Sequence, residues 1–111
     1  MKYYLVINSL INCPFSIEVE NILKTTTIEH KINKITVNEK HLYKNDTINT
    51  FPQIFFKKHT SKGSLLLGGN TDFKEIIQLK NKKLQVQIDT LTKKYPLFSK
   101  KIILRLIEFF N

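Results

Sequence analysis

Cys13 is the single cysteine of this 111-residue chain and its strongest candidate nucleophile. It stands in Cys13-Pro14-Phe15-Ser16, after the apolar run Tyr3-Tyr4-Leu5-Val6-Ile7. Phe15, Val19, Ile22 and Leu23 then recur at helical spacing. Proline suits the first helical position because the N–H it lacks would go unpaired there. Cys13 then falls at the cap, facing free backbone N–H groups and the positive end of the helix dipole, which favour a thiolate. An isolated cysteine serves equally well as a small buried hydrophobe. The placement between strand and helix carries the chemical reading, more than the four letters do.

Two further segments carry chemistry. Thr50-Phe51-Pro52-Gln53 precedes an apolar strand candidate. A cis peptide at Pro52 would turn the chain and expose the Phe51 backbone to an extended peptide; a trans proline at a strand's start is the plain alternative. Gly68-Gly69-Asn70-Thr71-Asp72 lies at a strand-to-helix junction. Glycines there permit close backbone approach, and a helix N-terminus offers N–H groups to a carboxylate. Asp72 could accept from an ammonium group, and a γ-glutamyl moiety carries both groups on one carbon. The plain alternative is a turn and helix cap.

The elements that must position these residues follow from periodicity. Lys2 to Ile7 reads as a buried strand, and the helix from Pro14 fades at Thr25-Thr26-Thr27. Lys34 to Val37 is expected as a second strand, and about Glu39 to Ile48 as a short helix with loops. Gln53 to Lys57 and Ser64 to Leu67 should form a hairpin about a polar turn. Asn70, Thr71 or Asp72 can cap a helix bearing Phe73, Ile76, Ile77 and Lys80. Two more helical patterns follow, Leu84, Ile88 and Leu91, then Phe98 to Phe110, separated by Tyr95-Pro96. The order β-α-β-α-β-β-α with a helical tail implies a parallel first pair, an antiparallel last pair and a four-stranded mixed sheet flanked by helices. An α/β fold of thioredoxin-type architecture is therefore the expectation. One domain is expected over 1–111, with a core at about 2–80 and a helical extension at about 84–111.

Composition narrows the classes. A hydrophobic fraction of 41% suits a folded domain. One cysteine per chain excludes an intramolecular disulfide and a cysteine-based zinc site, which fits a reducing, cytoplasmic setting. Five apolar residues near the N-terminus are too few for a secretory core, and no stretch approaches the ~18 of a membrane helix. The net charge of +9 could attract nucleic acid, but the lysines are scattered and no nucleic-acid-binding motif accompanies them. His30, His41 and His59 match no metal spacing. The last helix sets Lys100, Lys101 and Arg105 against an apolar face; covering its own core is expected ahead of docking on a partner or membrane surface.

Taken together, the three motifs and their order resemble the glutaredoxin family, whose members carry Cys-Pro-Tyr-Cys or Cys-Gly-Phe-Ser, then Thr-Val-Pro or Thr-Phe-Pro-Gln, then Gly-Gly-Cys-Asp. The resemblance covers roughly Lys2 to Leu79. It implies glutathione held across the domain face, with Cys13 as nucleophile and Pro14, Phe15 and Ser16 completing the active-site motif. The Phe51 backbone would pair with the cysteinyl part, Pro52 would be the cis-proline, and Gln53 would lie near the glycine carboxylate. Asn70, Thr71 and Asp72 would surround the γ-glutamyl end. Departures are plain: Leu10, Ile11 and Asn12 stand where a lysine is usual (Lys40 is a candidate substitute), Asn70-Thr71 replaces Cys-Asp, the turn from Lys57 to Gly63 is longer, and the last helix extends past the core.

Ser16 stands where a resolving cysteine would be, so the implied activity is a monothiol one: glutathione-dependent thiol–disulfide oxidoreduction on glutathionylated or disulfide-bearing proteins, by a monomer. The alternative is a [2Fe–2S] cluster shared in a dimer by two copies of Cys13 and two glutathiones, against which Pro14 argues. A glutathione-binding module without turnover is the third reading.

Overall fold

The structure, a computed structural model, describes residues 2–111. In chain order it contains β1 (Tyr3–Leu10), α1 (Pro14–Lys24), β2 (His30–Ile35), a 3-10 turn (Val37–Glu39), α2 (Lys40–Tyr43), β3 (Gln53–Lys58), β4 (Ser64–Gly68), α3 (Asn70–Gln78), α4 (Leu84–Lys94) and α5 (Lys100–Phe110). The strands form one open mixed sheet in the order β2-β1-β3-β4. β1 and β2 are parallel, and the other two pairings are antiparallel. The chain divides within α3 into two compact units, ending at Phe73 and beginning at Lys74.

In the first unit, β1 has neighbours on both edges. Leu5, Ile7 and Ser9 share one face by the two-residue period, and Leu5 and Ile7 pair across the sheet with Phe56 and Ile54. All four apolar residues are buried, as are Val19 and Leu23 of α1. The Ser9 hydroxyl donates to Glu20 of α1, and Lys34 of β2 donates to the same carboxylate at 2.6 Å. α1 is therefore fastened over this face by a polar contact as well as by apolar burial.

The limits of β1 and β2 depart furthest from those expected. β1 runs on to Leu10, past the polar Asn8-Ser9 that reads as its end. Both residues are buried with partners: Asn8 bonds Gln53 and Asn33, and Ser9 bonds Glu20. Polar residues sit inside a strand when their bonds are met there. β2 occupies His30–Ile35 instead of Lys34–Val37. It starts early because β1 recruits it, with Leu5 N–H donating to the Glu29 carbonyl at 3.0 Å and Leu5 opposite His30. It stops early because Thr36 and Glu39 form a capping box, whose Glu39 carboxylate accepts from Thr36 N–H at 3.0 Å. Val37 is left exposed in the turn.

In the second unit, α4 stops before Tyr95-Pro96, and Phe98 stacks on Tyr95 at 4.8 Å instead of opening the next helix. α5 begins at Lys100, where the Ser99 hydroxyl accepts from Ile102 N–H at 3.2 Å. Its apolar residues Ile103, Leu106, Ile107, Phe109 and Phe110 are buried within the chain. Among the described residues, no helix is long and apolar enough to cross a membrane.

Candidate functional site

The site begins where β1 ends. Asn12 takes φ 66°, a left-handed conformation that asparagine tolerates better than most residues, and the chain turns back with Cys13 N–H donating to the Leu10 carbonyl at 3.2 Å. Ile11 N–H meets the Ile35 carbonyl of β2 at 2.9 Å, which anchors the turn to the sheet. Cys13 is the extended N-cap of α1, Pro14 opens the helix, and the first helical bond runs from Ile17 N–H to the Cys13 carbonyl at 3.0 Å. The strand–cysteine–proline–helix order therefore has the geometry that the residue types suggest.

The Cys13 thiol is partly exposed, and its Sγ faces the Phe51 carbonyl at 4.0 Å. Burial pushes the thiol up in pKa. The Ser16 N–H and hydroxyl, the Phe15 N–H and the Lys40 ammonium outweigh that, and the group lies below the ordinary cysteine value. Ser16 is fully buried, and its hydroxyl also accepts from Leu10 N–H at 3.1 Å, tying the first turn of α1 to the end of β1.

The Phe51–Pro52 bond is cis. Phe51 precedes β3, so its backbone stays outside the sheet ladder. Phe51 also lines an open cavity of about 520 Å³ that extends from Phe15 and Thr50 to Gly69, Thr71 and Asp72. At its far end, Asp72 accepts from Gly69 N–H at 2.8 Å, as the third residue of a helix reaching back to its cap. Gly68 has φ 123°, and a Cβ there would run into the Asp72 carboxylate. Asn70 donates to the Phe15 carbonyl at 2.9 Å and to Glu18 Oε1 at 2.8 Å, so it braces the wall of the cavity against α1.

Phe51, Asn70, Thr71 and Asp72, widely separated in sequence, thus line one cavity, and the Cys13 thiol faces the Phe51 carbonyl beside it; Cys13 and Pro52 are not among the lining residues. Gln53 is placed differently. Its side chain is buried, accepts from Asn8 at 3.1 Å and donates to the Tyr43 carbonyl at 2.8 Å. Asn8, Asn33 and Glu20 have structural roles that a reading of local pattern passes over. The signal available was register: two asparagines fall opposite each other once β1 and β2 are aligned in parallel.

Among the three histidines, His59 pairs with Glu29 at 2.6 Å and stacks on Tyr4, and His30 Nδ1 lies 2.8 Å from the Ile28 carbonyl. Among the described residues, no three His, Cys, Asp or Glu side chains converge as metal ligands. Comparison with family models, with curated proteins and with solved structures finds no match.

Proposed function

We propose that this chain is a glutaredoxin-like, glutathione-dependent thiol–disulfide oxidoreductase with a thioredoxin-type core, working through one thiol. The observation that carries the reading is the Cys13 thiol at the N-cap of α1, 4.0 Å from the carbonyl of the residue before Pro52. A thiolate favoured by helix-end N–H groups lies beside a backbone edge free to pair with an extended peptide.

In the proposed cycle, the Cys13 thiolate attacks the glutathionyl sulfur of a mixed disulfide. The substrate thiolate leaves and takes up a proton, and Cys13 becomes glutathionylated. The thiolate of a second glutathione then attacks the glutathionyl sulfur of that adduct, releasing glutathione disulfide and restoring Cys13. The net exchange converts the mixed disulfide and one glutathione thiol into the substrate thiol and glutathione disulfide, so the reducing equivalent comes from that glutathione and no second protein cysteine is needed.

Within the cavity, the Phe51 backbone would hold the cysteinyl unit of glutathione. The first N–H groups of α3 would meet the γ-glutamyl carboxylate, with Asp72 opposite its ammonium. Lys40, whose charge already reaches the thiol, is the cation suited to the glycine carboxylate.

The test is reduction of a glutathionylated peptide by glutathione, followed through glutathione disulfide formation. Wild-type protein should turn over, Cys13→Ser should not, and Asp72→Ala should raise the KM for glutathione more than it lowers kcat. Wild-type protein that is alkylated quickly but shows no turnover would exclude the enzymatic reading.

A further inference from the structure

The second unit carries most of the chain's excess charge. Residues 74–111 hold nine basic side chains and three acidic ones, against nine and six in residues 1–73. Four of those lysines bracket one turn, in Lys93-Lys94-Tyr95-Pro96-Leu97-Phe98-Ser99-Lys100-Lys101. Pro96 presets the second position of the turn, which closes as Phe98 N–H donates to the Tyr95 carbonyl at 3.0 Å. The Tyr95 and Phe98 rings stack across it, 8° from parallel, so side chains hold the turn as well as backbone. Leu97 is thereby left at the tip, 97% exposed. A lone exposed leucine is ordinary on a protein surface. This one is set apart by the charges around it.

Lys93 and Lys94 end α4, where positive charge complements the helix dipole. Lys100 and Lys101 open α5, where positive charge opposes it, and that first turn holds no acidic residue in compensation. Lys93 and Lys100, from the two sides of the turn, line one cavity of about 470 Å³ whose walls include Ile88, Phe98 and Ile103. The acidic residue in that lining, Asp89, accepts from Gln85 at 2.8 Å, one turn back on its own helix. Lys94 pairs with Glu75 at 2.7 Å. Cations over apolar walls, beside an exposed apolar tip, complement a surface that is anionic outside and apolar beneath.

We propose that the turn between α4 and α5 is a peripheral anchor for an anionic phospholipid surface: Leu97 enters the acyl boundary, while Lys93 and Lys100 hold headgroup phosphates at the cavity they share. Such an anchor lies on a bilayer without crossing it. Nucleic acid is the less suitable polyanion, because Tyr95 and Phe98 stack on each other and a leucine tip gains nothing from phosphates. The inference is independent of the chemistry at Cys13.

The experiment is co-sedimentation of the full chain with vesicles of phosphatidylcholine, alone or mixed with phosphatidylserine in roughly equal parts. Binding should require phosphatidylserine and weaken with added salt. Leu97→Ser should lower the partition coefficient roughly tenfold, the order expected when one leucine is withdrawn from an apolar phase. Lys93→Gln and Lys100→Gln should each lower it about fivefold, one lysine's share of the attraction to an anionic surface. All three side chains are exposed, so these variants leave the core intact. The chain has no tryptophan, so Leu97→Trp introduces a single reporter. Its emission should shift to the blue on the mixed vesicles, whereas that of Thr60→Trp, in the exposed turn between β3 and β4, should not. Absence of binding to the mixed vesicles would overturn the proposal, as would binding that Leu97→Ser or the lysine variants leave unchanged. An equal shift in Thr60→Trp would also overturn it, as would a Leu97→Trp shift produced by a single-stranded oligonucleotide and not by the vesicles.

Discussion

The Asn70 side chain donates to the carbonyl of Phe15 across 55 positions of sequence, at 2.9 Å. This bond joins the first turn of α1, which begins one residue after the thiol, to the first turn of α3. The opposed N-terminal ends of two helices are thereby held as walls of one cavity. Since Asn70 also reaches Glu18, removing it frees both contacts at once.

Asn70→Ala should therefore loosen the cavity while leaving Cys13 capped on its own helix. Retention on immobilised glutathione should fall, whereas iodoacetamide alkylation at neutral pH should change little. Equal loss of both would mean that Asn70 supports the whole site and has no selective effect on the ligand wall.

Ser16 separates two roles that one position could combine. It has no thiol to resolve an adduct, yet its hydroxyl accepts from Leu10 N–H and helps depress the Cys13 pKa. Ser16→Ala should leave glutathione turnover measurable, because the second glutathione performs the resolution. It should also raise the alkylation pKa and cost about 0.5–1.5 kcal/mol, the net worth of one part-buried hydrogen bond. Urea unfolding and the alkylation profile check the two effects separately.

The direction of the Cys13 shift sets a pH window. A thiol whose folded pKa is depressed favours folding once it ionises. That stabilisation is complete above the unfolded thiol's pKa and is lost as pH falls through the folded one. Alkylation of the native protein should thus persist at pH values where the urea-unfolded chain has nearly stopped reacting. Superimposable rate profiles for the two states would contradict it.

Gly68→Ala should be costly twice over. A φ of 123° strains any side chain, and the added methyl would displace the Asp72 carboxylate from Gly69 N–H. A loss of more than about 1 kcal/mol is expected, since alanine does not adopt this conformation without strain. Weaker glutathione retention should accompany it, measurable on the fraction that remains folded.

Glu20 gives a stability prediction with a definite sign. Burial pushes its carboxyl up in pKa, but the Lys34 ammonium and the Ser9 hydroxyl hold it below the ordinary carboxylate range. The unfolded chain therefore binds the proton at a higher pH than the native one. The resulting stability is fully present above the ordinary glutamate value of about 4.3 and is lost as pH falls through the folded pKa. Glu20→Gln should lower the urea midpoint at pH 7 and flatten its fall between neutral and acid pH. An unchanged acid limb would show that the carboxylate contributes nothing to it.

Much of the frame was legible because it is written locally. Cys13-Pro14 between an apolar run and a 3.6-period pattern specifies a cap and a helix start, and both stand where the residues place them. The Ser64–Gly68 strand, its glycine stop and the helix behind it follow from turn chemistry and capping in the same way. Asn8-Ser9 and the start of β2 at His30 were not legible, because their meaning depends on residues far off in sequence. The Thr36–Glu39 capping box that ends β2 is, by contrast, a local signal. Asn8 is compatible with a buried strand only because Asn33 and Gln53 arrive opposite it, and Ser9 only because Glu20 does. Gln53 illustrates the same limit: local sequence places it next to Pro52, but the register of β3 against β1 turns its amide into the sheet. Local sequence chose the elements and the thiol. Tertiary structure chose the partners of the buried polar groups, because an unpaired buried amide is too costly to keep and only the assembled sheet can supply its partner.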